Sequence, residues 1–279
     1  MPVILIRTLT REFRIHVDAQ DAAGVLAYIE TRPQICGPAL RSIDLVVRRV
    51  GGFYHLALPD GIVAEGTASH LLDAIHQATF KSFVEEVPGA PLIHGASIRI
   101  DGAPILLIGA TGTGKTTLAL RLVERGHVVE GDEHVAVRAS DLVARPRTLR
   151  VKADSSRFVP TLATEILAAP SIPEWNGSLI YSVSPAIGGN PWQIAPILAP
   201  TLVFLEPNHG GHTVAKPVSV ERAFGCLMAA CLMPNGKAEA AARLRRVARE
   251  AQAWEMSLGD LEGAEKHLNR IASSAMHLH

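Results

Sequence analysis

Residues Gly109, Ala110, Thr111, Gly112, Thr113, Gly114, Lys115 and Thr116 spell the phosphate-binding pattern GxxxxGK(S/T), with Thr117 following. Glycines at 109, 112 and 114 let the backbone take positive φ and bring successive N–H groups against phosphate oxygens, an anion nest with no Cβ in the way. A helix that starts at the end of the loop adds its positive N-terminal end. The Lys115 ammonium is a mobile point charge for β and γ phosphates, and the Thr116 hydroxyl is placed to ligate Mg²⁺. The chemistry these residues can do is to bind a nucleoside phosphate.

A loop of this kind works between a buried strand and a helix, and the flanking sequence predicts both. Residues 104–108 are a short apolar run, and Leu118, Ala119, Leu122 and Val123 recur at helical spacing over 116–124, with Gly126 as the stop. Segments 96–100 and 104–108 flank Asp101-Gly102, a hairpin signal that leads the chain into the loop. Val128-Val129 then reads as a short strand running into Glu130-Gly131-Asp132-Glu133, with 135–137 leading out. Phosphoryl transfer needs positioning, charge neutralisation and a carboxylate to take the proton of the nucleophile. Asp132 and Glu133, expected on the strand next to the loop strand, offer that carboxylate; the alternative is an exposed turn pair.

Taken as a set, Leu92-Ile93-His94-Gly95, the loop, Arg125-Gly126-His127 and Gly131-Asp132-Glu133 resemble the catalytic domain of HPr kinase/phosphorylase and its relatives across residues 92–137. The shared order is a His-Gly before the hairpin, a P-loop, an Arg-Gly-His closing the next helix and an acidic pair. The resemblance implies an α/β fold of the HPr-kinase/PEP-carboxykinase-like P-loop type, with ATP or GTP and Mg²⁺ as cofactors. It implies that Lys115 holds the phosphates, that Thr116 and Asp132 hold the metal, and that a carboxylate accepts the proton of a serine hydroxyl. The family pair is usually Asp-Asp, and Glu133 is closer to the HPr-kinase-related kinases of peptide-modification gene clusters. Either carboxylate is then a candidate base, with Asp132 preferred and Glu133 assisting. His94 matches the motif histidine, set to bond the acidic pair or a phosphate, or else simply satisfied on its strand; His127 reads as structural.

The run Arg145-Pro-Arg-Thr-Leu-Arg-Val-Lys152 is similar to a segment of the related kinases. Arg147, Arg150 or Lys152 either meets phosphate or an acidic peptide, or lies in a solvated loop. The family's Arg-Gly-Leu-Gly signature, tied to dephosphorylation, is not found, so phosphorylase activity is not expected. The implied acceptor is a serine of a small protein or peptide, with a lasso-type peptide precursor as the narrower form. A small-molecule kinase and a regulatory ATP-hydrolysing module are the alternatives. Relatives of the family self-associate, which makes a homo-oligomer one expectation.

The rest of the chain bounds these readings. Its 279 residues suffice for a small N-terminal α/β domain over 1–90 and a catalytic domain over 91–279, divided at Pro88-Gly89-Ala90-Pro91. In the first part, alternation at Phe13, Ile15 and Val17 predicts a strand, 22–30 a helix, 42–49 with 53–58 a hairpin, and 68–86 a helix. Further strands are expected at 179–183 and 202–205, and helices at 220–233, 238–253 and 261–271. Lys+Arg and Asp+Glu both number 27, so no net field favours nucleic acid or a membrane, and Arg243, Arg245, Arg246 and Arg249 read as a solvated helix face. Three cysteines without a CxxC pair suggest free thiols and a cytoplasmic setting, and no signal peptide is expected. The apolar stretch 185–205 is broken by prolines rather than membrane-spanning. Residues 202–206 read as a core strand ending at Glu206 in preference to a second metal-binding strand, and His209-Gly-Gly-His212 lacks a third ligand for zinc.

Overall fold

The computed structural model describes residues 2–18, 20–36, 40–58, 61–233 and 236–276. Strands β1 (Val3–Arg7) and β2 (Arg11–Val17) bury every second apolar side chain, Ile4 and Ile6 against Phe13, Ile15 and Val17. Helix α1 (Gln20–Leu26) leads toward β3 (Arg41–Val50), which runs parallel to β2. The chain then turns at Gly51-Gly52, both at positive φ, into β4 (Phe53–Leu58), and β5 (Gly61–Gly66) completes the sheet in the order β1-β2-β3-β4-β5. Helix α2 (Ala68–Glu86) starts at Thr67, whose hydroxyl accepts from the His70 N–H, and packs Leu71, Leu72 and Ile75 into one core with Ile15, Leu26 and Tyr28. The alternation at 13–17, the hairpin and the 68–86 helix are as expected; β1 and β5 are additions.

The second sheet carries the loop. Strands β6 (Leu92–Ile100) and β7 (Ala103–Ile108) form the expected hairpin, with Asp101 and Gly102 both at positive φ. After the loop, α3 (Lys115–Glu124) stops at Gly126 (φ 88°). Strands β8 (Val128–Gly131) and β9 (His134–Val137) both pair with β6, and β10 (Leu142–Ala144) pairs with β9. Strands β11 (Leu149–Lys152), β12 (Ser171–Pro173) and β13 (Leu179–Val183) form a separate small sheet with β13 in the middle. Strand β14 (Thr201–Pro207) lies parallel to β7, followed by β15 (Val214–Pro217), α4 (Val220–Ala229), α5 (Lys237–Glu250), β16 (Gln252–Leu258) and α6 (Leu261–Met276).

The main path of the large sheet runs β10-β9-β6-β7-β14-β16-β15. Its central strands are apolar on both faces because helices cover both. Ile105, Leu107, Val203 and Leu205 meet α3 and α6, while Leu106, Ile108, Leu202 and Phe204 meet α4 and α5. No helix among the described residues is long and apolar enough to cross a membrane.

Two expectations need correction. The helix predicted over 220–233 ends at Ala229, and Cys231–Leu232 instead pairs with β6. The helix predicted over 238–253 ends at Glu250, and β16 follows at once, hydrogen-bonded to β14 on one side and β15 on the other. Helical composition loses there to two ladders of backbone bonds. One consequence of the packing at the loop is testable. A Cβ at Gly95 would stand 2.7 Å from the Leu107 carbonyl oxygen, so Gly95→Ala must spread β6 from β7. The expected cost is about 1–3 kcal/mol, read from the urea midpoint.

Candidate active site

The loop adopts its nest for two different reasons. Gly112 and Gly114 take φ of 85° and 91°. Gly109 is outside the positive-φ set, contrary to expectation; it is required because a Cβ there would lie 2.9 Å from the Leu205 carbonyl oxygen and the Thr113 hydroxyl. Lys115 is buried at the first position of α3, and its Nζ donates to the Gly109 and Ala110 carbonyls at 2.6 and 2.9 Å. Burial lowers its pKa, and the Asp132 charge opposes that shift.

Asp132 comes to the loop by a longer route than expected. It follows β8, which pairs with β6, so β6 stands between its strand and the loop strand β7. The side chain nevertheless meets α3: the Thr116 hydroxyl donates to Asp132 Oδ2 at 2.9 Å, and the residue is only 7% exposed. Burial pushes the Asp132 carboxyl up, and the Thr116 hydrogen bond and the Arg147 charge only partly offset it. Two residues upstream, Glu130 is fully buried and accepts from Ser97 Oγ at 2.5 Å and Arg99 Nε at 2.9 Å, which ties β8 to β6.

The neighbouring carboxylate is built differently. Glu133 Oε2 accepts from Arg145 Nη1 at 2.9 Å, Oε1 pairs with Arg147, and His134 Nδ1 lies 3.4 Å away. Burial alone would raise the Glu133 carboxyl, but the His134 contact and the Arg147 and Arg145 charges outweigh it and hold it far below the usual range. Both oxygens are thus occupied by guanidinium groups, a pairing the sequence reading did not foresee.

These groups surround a cavity of about 390 Å³. Thr111, Gly112 and Gly114 to Thr117 form one wall; Asp132, Glu133, Arg147, Arg150, Lys152, Ser155 and His94 form the others. Arg147 and Arg150 therefore face the loop, while Lys152, its side chain 68% exposed, stands at the rim in solvent. Ser155 is a lining residue with no motif to announce it. Burial first, then the Lys115 charge, depresses the His94 imidazole, which favours its neutral form. His127 is absent from this lining; its N–H closes α3 on the Leu122 carbonyl at 3.0 Å.

Two further cavities flank the loop. One of about 600 Å³ lies beside Gly112 to Gly114 and Thr117, walled by Arg121, Arg157, Phe158, His209 and Leu258 to Leu261. The other, about 540 Å³, opens beside Gly109 to Thr111 and is lined by His94, His134, Phe204 to Glu206, Cys226, Ala229 to Leu232 and Glu255. His94 and Thr111 line both this cavity and the one that holds Lys115 and Asp132, so the two adjoin. The expected core strand ending at Glu206 is met by four buried residues, Leu202 to Leu205, and the Glu206 side chain, 61% exposed, opens on this third cavity.

Among the described residues, no group of three or more His, Cys, Asp or Glu side chains is set to hold a metal by itself. The Thr116 hydroxyl and Asp132 carboxylate are two hard oxygen donors at one point beside the loop, which fits Mg²⁺ held jointly by protein and phosphate oxygens.

No family model matches the chain. A 49-residue segment, 18% of this chain, is 45% identical to HPr kinase/phosphorylase 1 of Oceanobacillus iheyensis and covers 16% of that protein. A 54-residue segment, 19% of this chain, is 43% identical to HPr kinase/phosphorylase of Listeria monocytogenes and covers 17% of it. The chain therefore matches about a sixth of the length of these curated relatives. The solved HPr(Ser) kinase/phosphatase from Coxiella burnetii is 13% identical, with 67% of this chain and 98% of that chain covered at a TM-score of 0.26, too low to carry an argument. Over this short segment the chain is similar to HPr kinases/phosphorylases, and its fold is mixed α/β.

Proposed function

We propose that the chain is a Mg²⁺-dependent kinase that moves the γ-phosphate of ATP or GTP to a hydroxyl, with a serine of a small protein or peptide as acceptor. The observation that carries this reading is the buried Asp132 carboxylate bonded to Thr116 at the phosphate loop, in one cavity with Lys115, Arg147 and Arg150. Asp132 is the one member of the acidic pair with room to act as base, because guanidinium groups occupy Glu133. Glu133 acts as their counter-ion.

The three cavities suggest a division of labour. With the phosphates along the loop and Thr117 toward the α end, the nucleoside enters the cavity walled by Phe158 and Leu258. The acceptor approaches from the cavity beside Gly109, past His94. Where that cavity meets the one holding Asp132, the hydroxyl oxygen bonds to the γ-phosphorus, the bond to the bridging oxygen breaks, the nucleoside diphosphate leaves, and Asp132 takes the hydroxyl proton. Lys115, Arg147 and Arg150 offset charge on the moving phosphoryl group, and neutral His94 supplies a hydrogen bond at the junction. Mg²⁺, when bound at Thr116 and Asp132, neutralises phosphate charge.

A small-molecule acceptor is the second reading, since about 540 Å³ also suits a metabolite. Labelled ATP, Mg²⁺ and separate peptide and metabolite panels distinguish the two; normal nucleotide binding with no transfer to any hydroxyl would refute both. Transfer confined to metabolites would select the second, and a lasso-type precursor is the first peptide to try. Ala229, exposed on the acceptor cavity, provides a finer check. Ala229→Trp obstructs part of that cavity and is expected to raise the acceptor KM by about tenfold with little change in nucleotide Kd.

A further inference from the structure

Arg150 of the phosphate cavity, and Arg145 behind the cavity residue Glu133, are not held by the P-loop half of the chain alone. Arg150 lies with its guanidinium carbon 3.8 Å from the centre of the Tyr28 ring, and its Nη1 donates to the Tyr28 carbonyl at 3.0 Å. Tyr28 is itself buried in the core of the five-stranded N-terminal sheet. Arg145, the partner of Glu133, has its guanidinium 4.7 Å from the Phe80 ring on α2, and that ring stands 5.4 Å from the ring of His134. The small sheet that carries Arg150 is docked on the same unit, because Ile172 of β12 and Ile180 of β13 pack against its core.

We propose that the N-terminal unit is a working part of the phosphate site, with Tyr28 and Phe80 as positioning residues that hold Arg150 and Arg145 in place. The inference rests on the kinase reading above. An aromatic face suits the task for a physical reason. A carboxylate would fix Arg150 but cancel the charge that a phosphate needs, whereas a ring face attracts the cation and leaves its charge in place. Arg150 lines the phosphate cavity and pairs with no carboxylate among the described residues, so its charge is left for an oxygen ligand. Arg145 is treated in the opposite way: its charge is matched to Glu133, and Phe80 supplies the other wall. One arginine is thus held ready and the other held paired, both by rings from the first part of the chain.

The test is a double-mutant cycle on the full chain with Tyr28→Leu, Arg150→Ala and the double variant, read as Kd for ATP with Mg²⁺ and as kcat and KM for transfer. Each single change is expected to weaken ATP binding and kcat/KM by about tenfold, and the double variant to be no worse than Arg150→Ala alone. Tyr28→Phe, which keeps the ring, should stay within about twofold of the wild type. Arg150→Lys retains charge without a planar stack and should resemble Tyr28→Leu, which keeps the idea testable if Tyr28→Leu fails to fold. Independent losses that multiply to about a hundredfold in the double variant, or an Arg150→Lys chain that matches the wild type, would overturn the proposal. Should no hydroxyl accept phosphate, the kinase reading falls, while the same cycle in ATP affinity still decides whether Tyr28 acts through Arg150.

Discussion

Asp132→Asn is expected to remove phosphoryl transfer while leaving nucleotide binding in place. Asparagine keeps the size of the side chain and an oxygen that can accept from the Thr116 hydroxyl at the 2.9 Å contact, so the loop and α3 keep their support. What it cannot do is take a proton. General-base contributions of this kind are worth about 10²- to 10⁴-fold, and kcat should fall by that order. The raised affinity of the buried carboxyl for protons makes Asp132 a better acceptor than an exposed aspartate. The measurements are kcat with labelled ATP and, separately, nucleotide Kd. An unchanged kcat sinks the assignment of Asp132 as base; loss of Mg²⁺-nucleotide binding along with kcat, in a chain that still folds, would assign Asp132 to the metal instead.

Glu133→Ala is expected to act on stability before it acts on chemistry. Its removal strands Arg145, whose side chain is 5% exposed, and Arg147 beside it, with no carboxylate between them. Breaking a buried pair from one side costs about 3–5 kcal/mol, measured here as a shift in the denaturation midpoint. Glu133→Gln preserves shape but not charge; it should be destabilised less and should still transfer phosphate, which separates Glu133 from Asp132. The pH dependence has a definite sign. The folded-state pKa of Glu133 lies well below its ordinary 4.5, so its stabilisation is present above that value and is lost as pH falls through and below it. Wild-type stability should therefore decline on acidification more steeply than that of Glu133→Gln. Parallel decline of the two would remove the ion-pair argument.

The contrast between these carboxylates shows where sequence reading stops. The loop, its hairpin, α3 and the acidic pair were legible because each depends on residues a few positions apart: glycines at set spacing, an apolar run, Asp101-Gly102 at a turn. Which carboxylate is free was not legible. Glu133 is occupied because Arg145 lies 12 residues further on and returns across the β9–β10 pairing. Strand β16 was hidden for a related reason. Residues 238–253 have the composition of a helix, and the strand exists because β14 and β15 present backbone partners on either side.

The sequence by itself determined that the pattern GxxxxGK(S/T) lies between a strand and a helix, with an acidic pair following it, because local spacing dictates local backbone. Only the tertiary structure decided how those parts are divided: Asp132 on Thr116, Glu133 on two arginines, one cavity on one side of the loop and a second on the other. It also brought Tyr28 to Arg150 across 122 positions. Charge, burial and ring faces act through distance in space, and residues far apart in the chain acquire those distances when the sheets and helices pack.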